Sequence, residues 1–465
     1  MAAETNDIYD LVVIGAGPGG YVAAIRAAQL GLQVACVEKH DSLGGTCLNV
    51  GCIPSKALLE STWKYHECVH SMDVHGITLK GISFDLKMMM SRKDRIVATL
   101  TGGLEHLFKK NRIHRFAGSA RLLENLKVEV SGEKVETVQG KAILIATGSK
   151  AAEIPGVKRD GVNIISSTEA LSLDEVPQRL VVIGAGAIGL EMGSVWHRLG
   201  AEVTVVEYFD RVLPTMDKGI AKQSLRFFKK QGLKFQLGAK IEGVEQRDDG
   251  CRVEIAGHVP LMADKVLVAA GRMPCLEGLG FKELGGATDG KGFIEVDSHW
   301  QTSIPGIYAV GDVIGGAMLA HKASEEGIAC VERLARGYGH VNYRTIPSIV
   351  YTHPEIGSVG QSEEDLQEEG IPFKKGVFYF KGNGRALAIE DPDGMVKVLA
   401  HKDTDRILGV HIIGPQAGDL LAEAVIAMEL GASSEDLGRT CHAHPTLSEA
   451  LREAALNVED IAIHG

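Results

Sequence analysis

Two cysteines, Cys47 and Cys52, lie five positions apart in a segment that reads GGTCLNVGCIPSK. The other six of the eight cysteines are scattered singly, which is not the spacing of a secreted disulfide framework. A close pair can be a structural disulfide, half of a metal site, a coincidence or a redox-active dithiol. A disulfide that closes so short a loop adds little stability, and the chain carries no second Cys/His pair at zinc spacing. We therefore expect no metal site, and a redox role is the favoured hypothesis.

The local sequence also bears on whether the two sulfurs can meet. Residues five apart in a regular helix are roughly 8–9 Å apart at Cα, whereas a disulfide tolerates at most about 7 Å. Glycines on both sides of Cys47, including Gly51, predict a segment that is not a regular helix. Pro54 is typical of a first helical turn, so Cys52 should lie near a helix N-terminus, where the pKa of a thiol is lowered.

A second reactive group stands near the C-terminus, in the segment CHAHPTLSEALREAALN. The apolar spacing predicts a helix that begins around Thr446. Thr446-x-x-Glu449 reads as a capping box, which gives Glu449 a structural explanation, and His442 and His444 can each be loop residues. Alternatively, Glu449 can turn back and orient the imidazole of His444, an arrangement that makes histidine a better base.

The elements that would position these groups begin with a nucleotide-binding βαβ unit. The chain predicts a buried strand at Leu11–Ile14, the spacing Gly15-x-Gly17-x-x-Gly20, an Ala-rich helix and a second strand that ends at Glu38. Glycines let the backbone approach a pyrophosphate at the helix N-terminus, and the acidic residue accepts ribose hydroxyls.

The same pattern recurs with Gly184, Gly186, Gly189 and Glu207, and each copy spans 23 positions from first glycine to acid. Two copies predict two different dinucleotides, one held and one exchanged; the alternative is a duplication with one inactive copy. A carboxylate at position 207 repels a 2′-phosphate, and no basic residue follows before Arg211. The second site therefore favours NAD over NADP.

Two further segments have the character of a strand followed by a glycine turn. KAILIATGS closes the first nucleotide domain, and GIYAVGDV predicts a strand that ends near Asp312, placed to grip a sugar-like hydroxyl. The segment from Met318 to Gly337 predicts a helix whose N-terminus could stabilise negative charge on a bound ring.

The bulk composition sets limits on partners and compartment. The 465 residues suffice for about three domains. The net charge of −11 without a Lys/Arg block predicts no nucleic-acid or membrane partner. No apolar run has the length of a membrane span, and the N-terminal residues do not read as a targeting leader. We expect a bacterial cytoplasmic protein, with a mature mitochondrial matrix form as the alternative.

Together, GGTCLNVGCIPSK, the ATG strand, AVGD and HAHPTLSE resemble the pyridine nucleotide–disulfide oxidoreductases, in order and over essentially the whole chain. The resemblance implies an α/β fold with two Rossmann-like dinucleotide-binding domains and a C-terminal α+β dimerisation domain. It implies an FAD-binding domain at 1–150, an NAD-binding domain at 151–280, a central domain that completes the FAD site at 281–348, and a dimerisation domain at 349–465.

The resemblance also implies two sets of cofactor contacts. One tightly bound FAD per subunit would contact Gly15, Gly17, Gly20, Glu38, Thr46, Lys56, Gly118, Thr147, Gly148, Ser149, Asp312, Met318, Leu319, Ala320 and His321. NAD would contact Gly184, Gly186, Gly189, Glu207 and Gly271. In the family the lysine pairs with a glutamate, which in this chain is Glu191.

For the chemistry, the resemblance implies oxidation of dihydrolipoamide by NAD through Cys47 and Cys52, with His444 as the base, Glu449 as its orienter and His442 structural. The base would reach the cysteines of the other subunit of a homodimer. The implied partners are a lipoylated acyltransferase of a 2-oxoacid dehydrogenase complex or the glycine cleavage lipoyl protein. The alternatives are a related NADH-dependent disulfide or quinone reductase and a non-catalytic scaffold of such a complex.

Overall fold

The computed structural model describes residues 3–248 and 250–464. The chain divides into two compact units. The first unit comprises residues 1–58, 85–152 and 271–341, and the second comprises residues 59–84, 153–270 and 342–465. None of the helices in the described residues is long and apolar enough to cross a membrane.

The strands, in chain order, are β1 (Ala3–Tyr9), β2 (Leu11–Ile14), β3 (Val34–Glu38), β4 (His114–Ala117), β5 (Ser119–Leu123), β6 (Lys127–Ser131), β7 (Val135–Gly140), β8 (Ile143–Ile145), β9 (Ser149–Ala151), β10 (Ile164–Ile165), β11 (Arg179–Ile183), β12 (Glu202–Val206), β13 (Lys234–Gln236), β14 (Ile241–Arg247), β15 (Gly250–Ile255), β16 (Leu261–Ala263), β17 (Lys265–Val268), β18 (Arg272–Pro274), β19 (Ile307–Ala309), β20 (Ser348–Val350), β21 (Glu355–Gly360), β22 (Phe373–Tyr379), β23 (Met395–His401) and β24 (Ile407–Gly414).

The α-helices are α1 (Pro18–Gln29), α2 (Gly45–Val50), α3 (Cys52–His70), α4 (Leu86–Lys110), α5 (Ser167–Ala170), α6 (Ala187–Arg198), α7 (Lys218–Lys230), α8 (Ala320–Arg336), α9 (Glu363–Glu368), α10 (Gly384–Ala388), α11 (Ala417–Glu429), α12 (Ser434–Arg439) and α13 (Glu449–Leu456). Short 3₁₀ turns lie at Asp73–His75, Gly311–Ile314, Tyr343–Thr345, Phe380–Gly382 and Asn457–Glu459.

The first unit is built on a parallel five-stranded sheet in the order β19-β8-β2-β3-β4. The three central strands are buried along their whole length, which explains their continuous apolar sequences. A four-stranded sheet in the order β1-β7-β6-β5 and the two-stranded β18-β9 ribbon complete this unit. Strand β19 comes from residues 307–309, so the segment assigned to a central domain adds the edge strand of this nucleotide-binding sheet.

The described residues of the second unit form three sheets. A parallel sheet in the order β10-β17-β11-β12-β13 repeats the arrangement of the first unit around the second fingerprint. A three-stranded antiparallel sheet, β14-β15-β16, follows it in the chain. The C-terminal residues form an antiparallel sheet in the order β20-β21-β24-β23-β22, and α11 and α13 share its apolar core. These elements agree with the predicted α/β fold and its α+β C-terminal part.

The third glycine of each fingerprint is required by close packing. A Cβ atom on Gly20 would lie 1.8 Å from the carbonyl oxygen of Gly15, and one on Gly189 would lie 2.1 Å from that of Gly184. Any side chain at these positions would push the helix away from its strand. Both copies therefore retain the tight strand-to-helix turn that the sequence predicts.

Candidate functional site

The two cysteines lie on either side of a break between two helices. Cys47 belongs to the short helix α2, which ends at Val50 and is followed by Gly51 with φ −144° and ψ −113°; Cys52 is the first residue of α3. Pro54 lies in the first turn of α3, as predicted, although the helix begins two residues earlier than the proline. The interruption replaces the regular helix that would keep the two sulfurs apart.

The cysteine segment is packed directly against the first fingerprint loop. The amide of Gly44 donates to the carbonyl of Ala16 at 2.8 Å. A Cβ atom on Gly45 would lie only 2.6 Å from the Cα of Gly17, so this approach requires a glycine. The predicted dithiol therefore lies beside the predicted dinucleotide site, within the first unit.

The two thiols differ in their electrostatic environment. A hydrogen bond with Cys52 and burial raise the pKa of Cys47, and the nearby positive charge of Lys56 opposes that rise. In this hydrogen bond Cys47 is therefore the donor, and the sulfur of Cys52 is the acceptor. Cys52 is exposed and Cys47 is half-buried, so exposure alone does not identify Cys47 as the sulfur that a substrate attacks.

Tyr21, which sequence reasoning missed, also lies close to this pair. It follows the last glycine of the first fingerprint, and both burial and Cys47 raise the pKa of its phenol. Its position directly after Gly20 was the available signal, because the fingerprint loop and the cysteine segment are in contact.

The acidic residue of the first fingerprint is buried at the carboxyl end of β3. Glu38 accepts the amide hydrogens of Ala16 at 2.7 Å and of His40 at 2.9 Å through its two carboxylate oxygens. The amide of Gly118 donates to the backbone carbonyl of Glu38 at 2.9 Å. Glu38 and Gly118, two of the predicted flavin contacts, are thus neighbours where the strands β3 and β4 end.

The residues at this edge of the sheet fit a flavin dinucleotide. Thr147 Oγ1 is fully buried and has no hydrogen-bond partner among the described residues, and Gly148 and Ser149 follow it where the chain passes from β8 to β9. Such an unused polar atom is what a nucleotide with many hydroxyl and phosphate oxygens can satisfy. Gly17 caps α1, whose N-terminus suits a pyrophosphate. Thr46 lies in α2, next to Cys47.

Asp312 lies in the 3₁₀ turn after β19, as the strand-then-glycine pattern predicts. Its carboxylate accepts a hydrogen bond from the hydroxyl of Ser149. Arg272, a residue that the sequence did not single out, donates to that same hydroxyl at 2.7 Å. No local motif signals Arg272, because it reaches Ser149 through the pairing of β18 with β9.

The turn that carries Asp312 is held by a buried ion pair. Glu326 accepts the amide hydrogen of Gly311 at 2.8 Å, and Lys322 Nζ lies 3.0 Å from Glu326 and 3.0 Å from the carbonyl oxygen of Gly315. The helix α8 begins at Ala320, so the predicted contacts Met318, Leu319, Ala320 and His321 form its entry and first turn. The spacing of Lys322 and Glu326, four apart on a helix, was the signal for this pair.

The second fingerprint repeats the geometry of the first. Glu207 accepts the amide hydrogens of Ala185 at 2.6 Å and of Phe209 at 3.0 Å. Gly186 caps α6, which carries Gly189 and Glu191 in its first two turns. Glu191 accepts the amide hydrogen of Tyr351 at 2.9 Å. Its pairing with Lys56, which belongs to the other unit, stays a prediction.

Gly271 stands at the junction where the chain passes from the second unit back to the first. It has a φ of 112°, and its carbonyl accepts the amide hydrogen of Ala152 at 3.0 Å. The predicted NAD contact thus lies directly before Arg272, where the chain enters the ribbon of β18 and β9.

His444 and Glu449 meet as predicted, but the helix between them differs. His444 Nδ1 lies 2.9 Å from Glu449 Oε1, and 78% of the imidazole side chain is exposed. The helix α13 begins at Glu449, so the prediction of a start around Thr446 was wrong. The hydroxyl of Thr446 donates to the carbonyl of Ala443 instead of capping a helix, while its amide donates to Glu449 Oε2.

His442 occupies a different environment from His444. Only 4% of its side chain is exposed, and its Nε2 lies 2.7 Å from Glu423. Its Nδ1 faces the carbonyl of Thr440 at 2.8 Å. The hydrogen bond with Glu423 raises the pKa of His442 despite its burial. This partly buried pair connects the loop of His444 to α11.

Comparisons with known proteins cover nearly the whole chain. Residues 9–327 match the family described as pyridine nucleotide-disulphide oxidoreductase, and residues 346–455 match the dimerisation domain of that family. The chain is 51% identical to the mitochondrial dihydrolipoyl dehydrogenase of Pisum sativum, over 99% of this chain and 94% of that protein. It is also 51% identical to a leghemoglobin reductase of Glycine max, over 98% of this chain and 89% of that protein.

Solved structures give the same result for the fold. The Cu(II) complex of the HOCl-induced flavoprotein disulfide reductase RclA from Escherichia coli superposes with a TM-score of 0.87 at 26% identity. The superposition covers 97% of this chain and 99% of that one.

Proposed function

This chain belongs to the pyridine nucleotide-disulphide oxidoreductases, and we propose that its cysteine pair, His444 and Glu449 carry out the oxidation of dihydrolipoyl groups by NAD. The enzyme uses FAD as cofactor and NAD as co-substrate. The observation that carries the proposal is the hydrogen-bonded pair of Cys47 and Cys52 beside Lys56, packed on the first fingerprint loop.

Catalysis starts from the oxidised pair, a disulfide between Cys47 and Cys52. His444, oriented by Glu449, removes a proton from one thiol of the dihydrolipoyl group. The resulting thiolate attacks the sulfur of Cys47, the Cys47–Cys52 bond breaks, and Cys52 leaves as a thiolate. Cys52 suits this role because it lies at the N-terminus of α3 and accepts the hydrogen bond from Cys47.

The second substrate thiol, once deprotonated, attacks the substrate sulfur that is bound to Cys47. The mixed disulfide breaks, the lipoyl disulfide is released, and both cysteines remain reduced. Two electrons and two protons have then left the substrate. FAD bound at this site would supply the two-electron chemistry that links the reduced cysteine pair to hydride transfer onto NAD.

The flavin would be held by the residues that line the carboxyl edge of the first sheet, from Gly15 and Glu38 to Thr147 and Asp312. NAD would be held by the second fingerprint with Glu207 and by Gly271. Lys56 would contribute a positive charge that stabilises an electron-rich flavin.

The working unit would be a homodimer, since the C-terminal residues match the dimerisation domain of the family. His444 would reach the cysteine pair of the second copy, so a separated monomer would be inactive. A lipoylated protein of a 2-oxoacid dehydrogenase or glycine cleavage system would supply the substrate. Relatives named as mitochondrial favour the mitochondrial matrix over the bacterial cytoplasm that the sequence alone suggested.

The test is an anaerobic titration of the purified yellow protein with dihydrolipoamide, followed by visible absorbance. We expect a new long-wavelength band from a thiolate beside the flavin, and NADH formation when NAD is added. If dihydrolipoamide leaves the flavin oxidised while NADH reduces it, the substrate assignment fails. The protein would then be an NADH-dependent reductase of another disulfide or of a quinone, which assays with those substrates would identify.

A further inference from the structure

Ser149, Arg272 and Asp312 form a chain of hydrogen bonds within the first unit. Arg272 Nε donates to Ser149 Oγ at 2.7 Å, and Arg272 Nη2 donates to the backbone carbonyl of Ser149, also at 2.7 Å. Ser149 Oγ in turn donates to Asp312 Oδ2. The direct separation of Arg272 Nε from Asp312 Oδ2 is 3.9 Å, so the serine hydroxyl connects the two charges.

The chemistry of the three groups fixes the direction of each hydrogen bond. A guanidinium only donates, and an ionised carboxylate only accepts. The single hydroxyl hydrogen of Ser149 must therefore point at Asp312, and one of its lone pairs is taken by Arg272. Ser149 is buried, with 7% of its surface exposed. The hydroxyl therefore has no hydrogen left to donate to a cofactor.

The backbone around Ser149 is equally constrained. Strand β9 pairs with β18, with Ser149 opposite Pro274 and Ala151 opposite Arg272. The amide of Cys275 donates to the carbonyl of Gly148 at 3.0 Å. Arg272 thus approaches Ser149 from a strand that is itself held in register, and the guanidinium side chain is only 18% exposed.

We propose that Arg272 and Ser149 are positioning residues that hold Asp312 Oδ2, so that Oδ1 is presented to a hydroxyl of the flavin sugar chain. This inference rests on the FAD-binding part of the proposed function. It reassigns Ser149, which the sequence placed among the direct flavin contacts, and it adds Arg272. The hydrogen bond from Ser149 is to a charged carboxylate, and losing a bond of this kind should weaken FAD binding about tenfold or more.

The chain of hydrogen bonds from Arg272 through Ser149 to Asp312, called the relay below, makes a prediction that a direct contact of Ser149 with the flavin does not. If Ser149 acts only through Asp312, the effects of Ser149→Ala and Asp312→Asn are not additive, because the second change removes nothing further. If Ser149 contacts the flavin itself, the two effects add, as they do for independent groups. The same comparison applies to Arg272→Gln, whose side chain the proposal keeps away from the flavin.

The experiment measures the rate at which FAD leaves the holoenzyme in dilute guanidinium, followed by the rise in flavin fluorescence. We expect Ser149→Ala and Arg272→Gln each to release FAD about tenfold faster or more, and Ser149→Thr to stay within about threefold of wild type because it keeps the hydroxyl. The matched control is Glu277→Gln, a change at an exposed residue close in sequence to Arg272. Combining Ser149→Ala with Asp312→Asn should release FAD no faster than Asp312→Asn alone.

Additive effects in the double variant, or an unchanged release rate in Ser149→Ala, would overturn the relay. If Ser149→Ala is purified without flavin, Arg272→Gln, alone and combined with Asp312→Asn, supplies the same comparison. The measurement needs no lipoyl substrate, so a failure of the dihydrolipoamide assignment leaves it intact. A wild-type protein that binds no FAD would overturn both this relay and the flavin part of the proposed function.

Discussion

His444 and Glu449 are joined by a hydrogen bond of 2.9 Å between Nδ1 and Oε1. Because a carboxylate can only accept, the hydrogen lies on Nδ1, and Nε2 is left as the basic nitrogen of a neutral imidazole. Burial alone would raise the pKa of Glu449, but the amide of Thr446 and the side chain of His444 outweigh it and lower that pKa. The orienting carboxylate therefore stays charged at neutral pH.

We expect Glu449→Gln to lower kcat/KM for dihydrolipoamide by about 10²–10⁴, the usual contribution of general acid–base catalysis. The glutamine can still accept from Nδ1, but it cannot stabilise a protonated imidazole. The acid limb of the pH profile should therefore shift to lower pH. Steady-state kinetics across pH measure both effects.

The matched control is Glu435→Gln, which removes an exposed carboxylate that pairs with Arg439 on α12. Its kinetics should match the wild type. A Glu449→Gln variant that keeps kcat/KM within about threefold and leaves the pH profile in place would contradict the role assigned to this pair.

The cysteines should respond differently to substitution. In Cys47→Ser the remaining Cys52 is at the N-terminus of α3, and we expect a long-wavelength absorbance band from its thiolate without added dithiol. In Cys52→Ser that band should be absent, because burial opposes ionisation of the remaining thiol of Cys47. Neither variant should turn over dihydrolipoamide.

Visible spectra of the two purified variants make this comparison, and Cys275→Ser, a half-buried cysteine outside the pair, is the control. A band in Cys52→Ser and none in Cys47→Ser would reverse the assigned roles of the two sulfurs.

The sequence predicted the elements whose patterns are local. The strand Leu11–Ile14 and the strand end at Glu38 have the predicted bounds, because buried parallel strands are short continuous apolar runs. The start of α13 was wrong because the Thr446 hydroxyl has a nearer partner in the carbonyl of Ala443, a competition that a capping pattern does not reveal.

The candidate site was predictable to the extent that motifs carry it. The cysteines, both fingerprints and the pair of His444 and Glu449 could all be located in the chain. Arg272 could not, because its partner Ser149 is 123 positions away and only strand pairing brings the two together. The environment of His442 was likewise hidden, since its partner Glu423 lies on α11.

His66, which lies near His70 and Arg198 in the second unit, predicts that the folded protein loses stability in acid. Burial, helped by His70 and Arg198, lowers the pKa of His66 from 6.5 to about 4. Between pH 6.5 and about pH 4, His66 is therefore protonated in the unfolded state and neutral in the folded state. The stability that His66 contributes is present above pH 6.5 and is lost as the pH falls toward 4.

We expect His66→Gln to flatten the fall in Tm across that window, measured by thermal unfolding at a series of pH values. His258→Gln, at an exposed loop position, is the control and should follow the wild type. A His66→Gln curve parallel to the wild type would show that other groups carry the acid sensitivity.

The ion pair of Lys322 and Glu326 should matter more for stability than an exposed pair in the same unit. Their side chains are 4% and 0% exposed, so Lys322→Met leaves a buried carboxylate without its cation. Breaking a buried pair in this way typically costs about 3–5 kcal/mol. Because Glu326 also holds the turn before Asp312, FAD should leave this variant faster.

Lys141→Met is the matched comparison, since Lys141 is 69% exposed and pairs with Asp10; it should cost less than about 1 kcal/mol. Urea unfolding of the holoenzymes gives both values. If the two variants lose the same free energy of unfolding, burial does not make the pair of Lys322 and Glu326 more important for stability.

The choice of nicotinamide nucleotide should depend on Glu207. Its carboxylate is buried at the carboxyl end of β12 and is anchored by the amides of Ala185 and Phe209, so it cannot swing away from an incoming 2′-phosphate. We expect kcat/KM for NAD to exceed that for NADP by about 100-fold or more, because like charges in such a site cost several kcal/mol.

Glu207→Gln removes the charge and keeps one acceptor oxygen. The KM for NAD should rise about tenfold, as expected for the loss of a hydrogen bond to a charged group. The 2′-phosphate of NADP is no longer repelled, so the ratio of kcat/KM for NAD to that for NADP should fall. Glu202→Gln, at the exposed start of the same strand, controls for a general loss of negative charge. If Glu207→Gln leaves the ratio of the two kcat/KM values unchanged, the selectivity must come from another part of the second site.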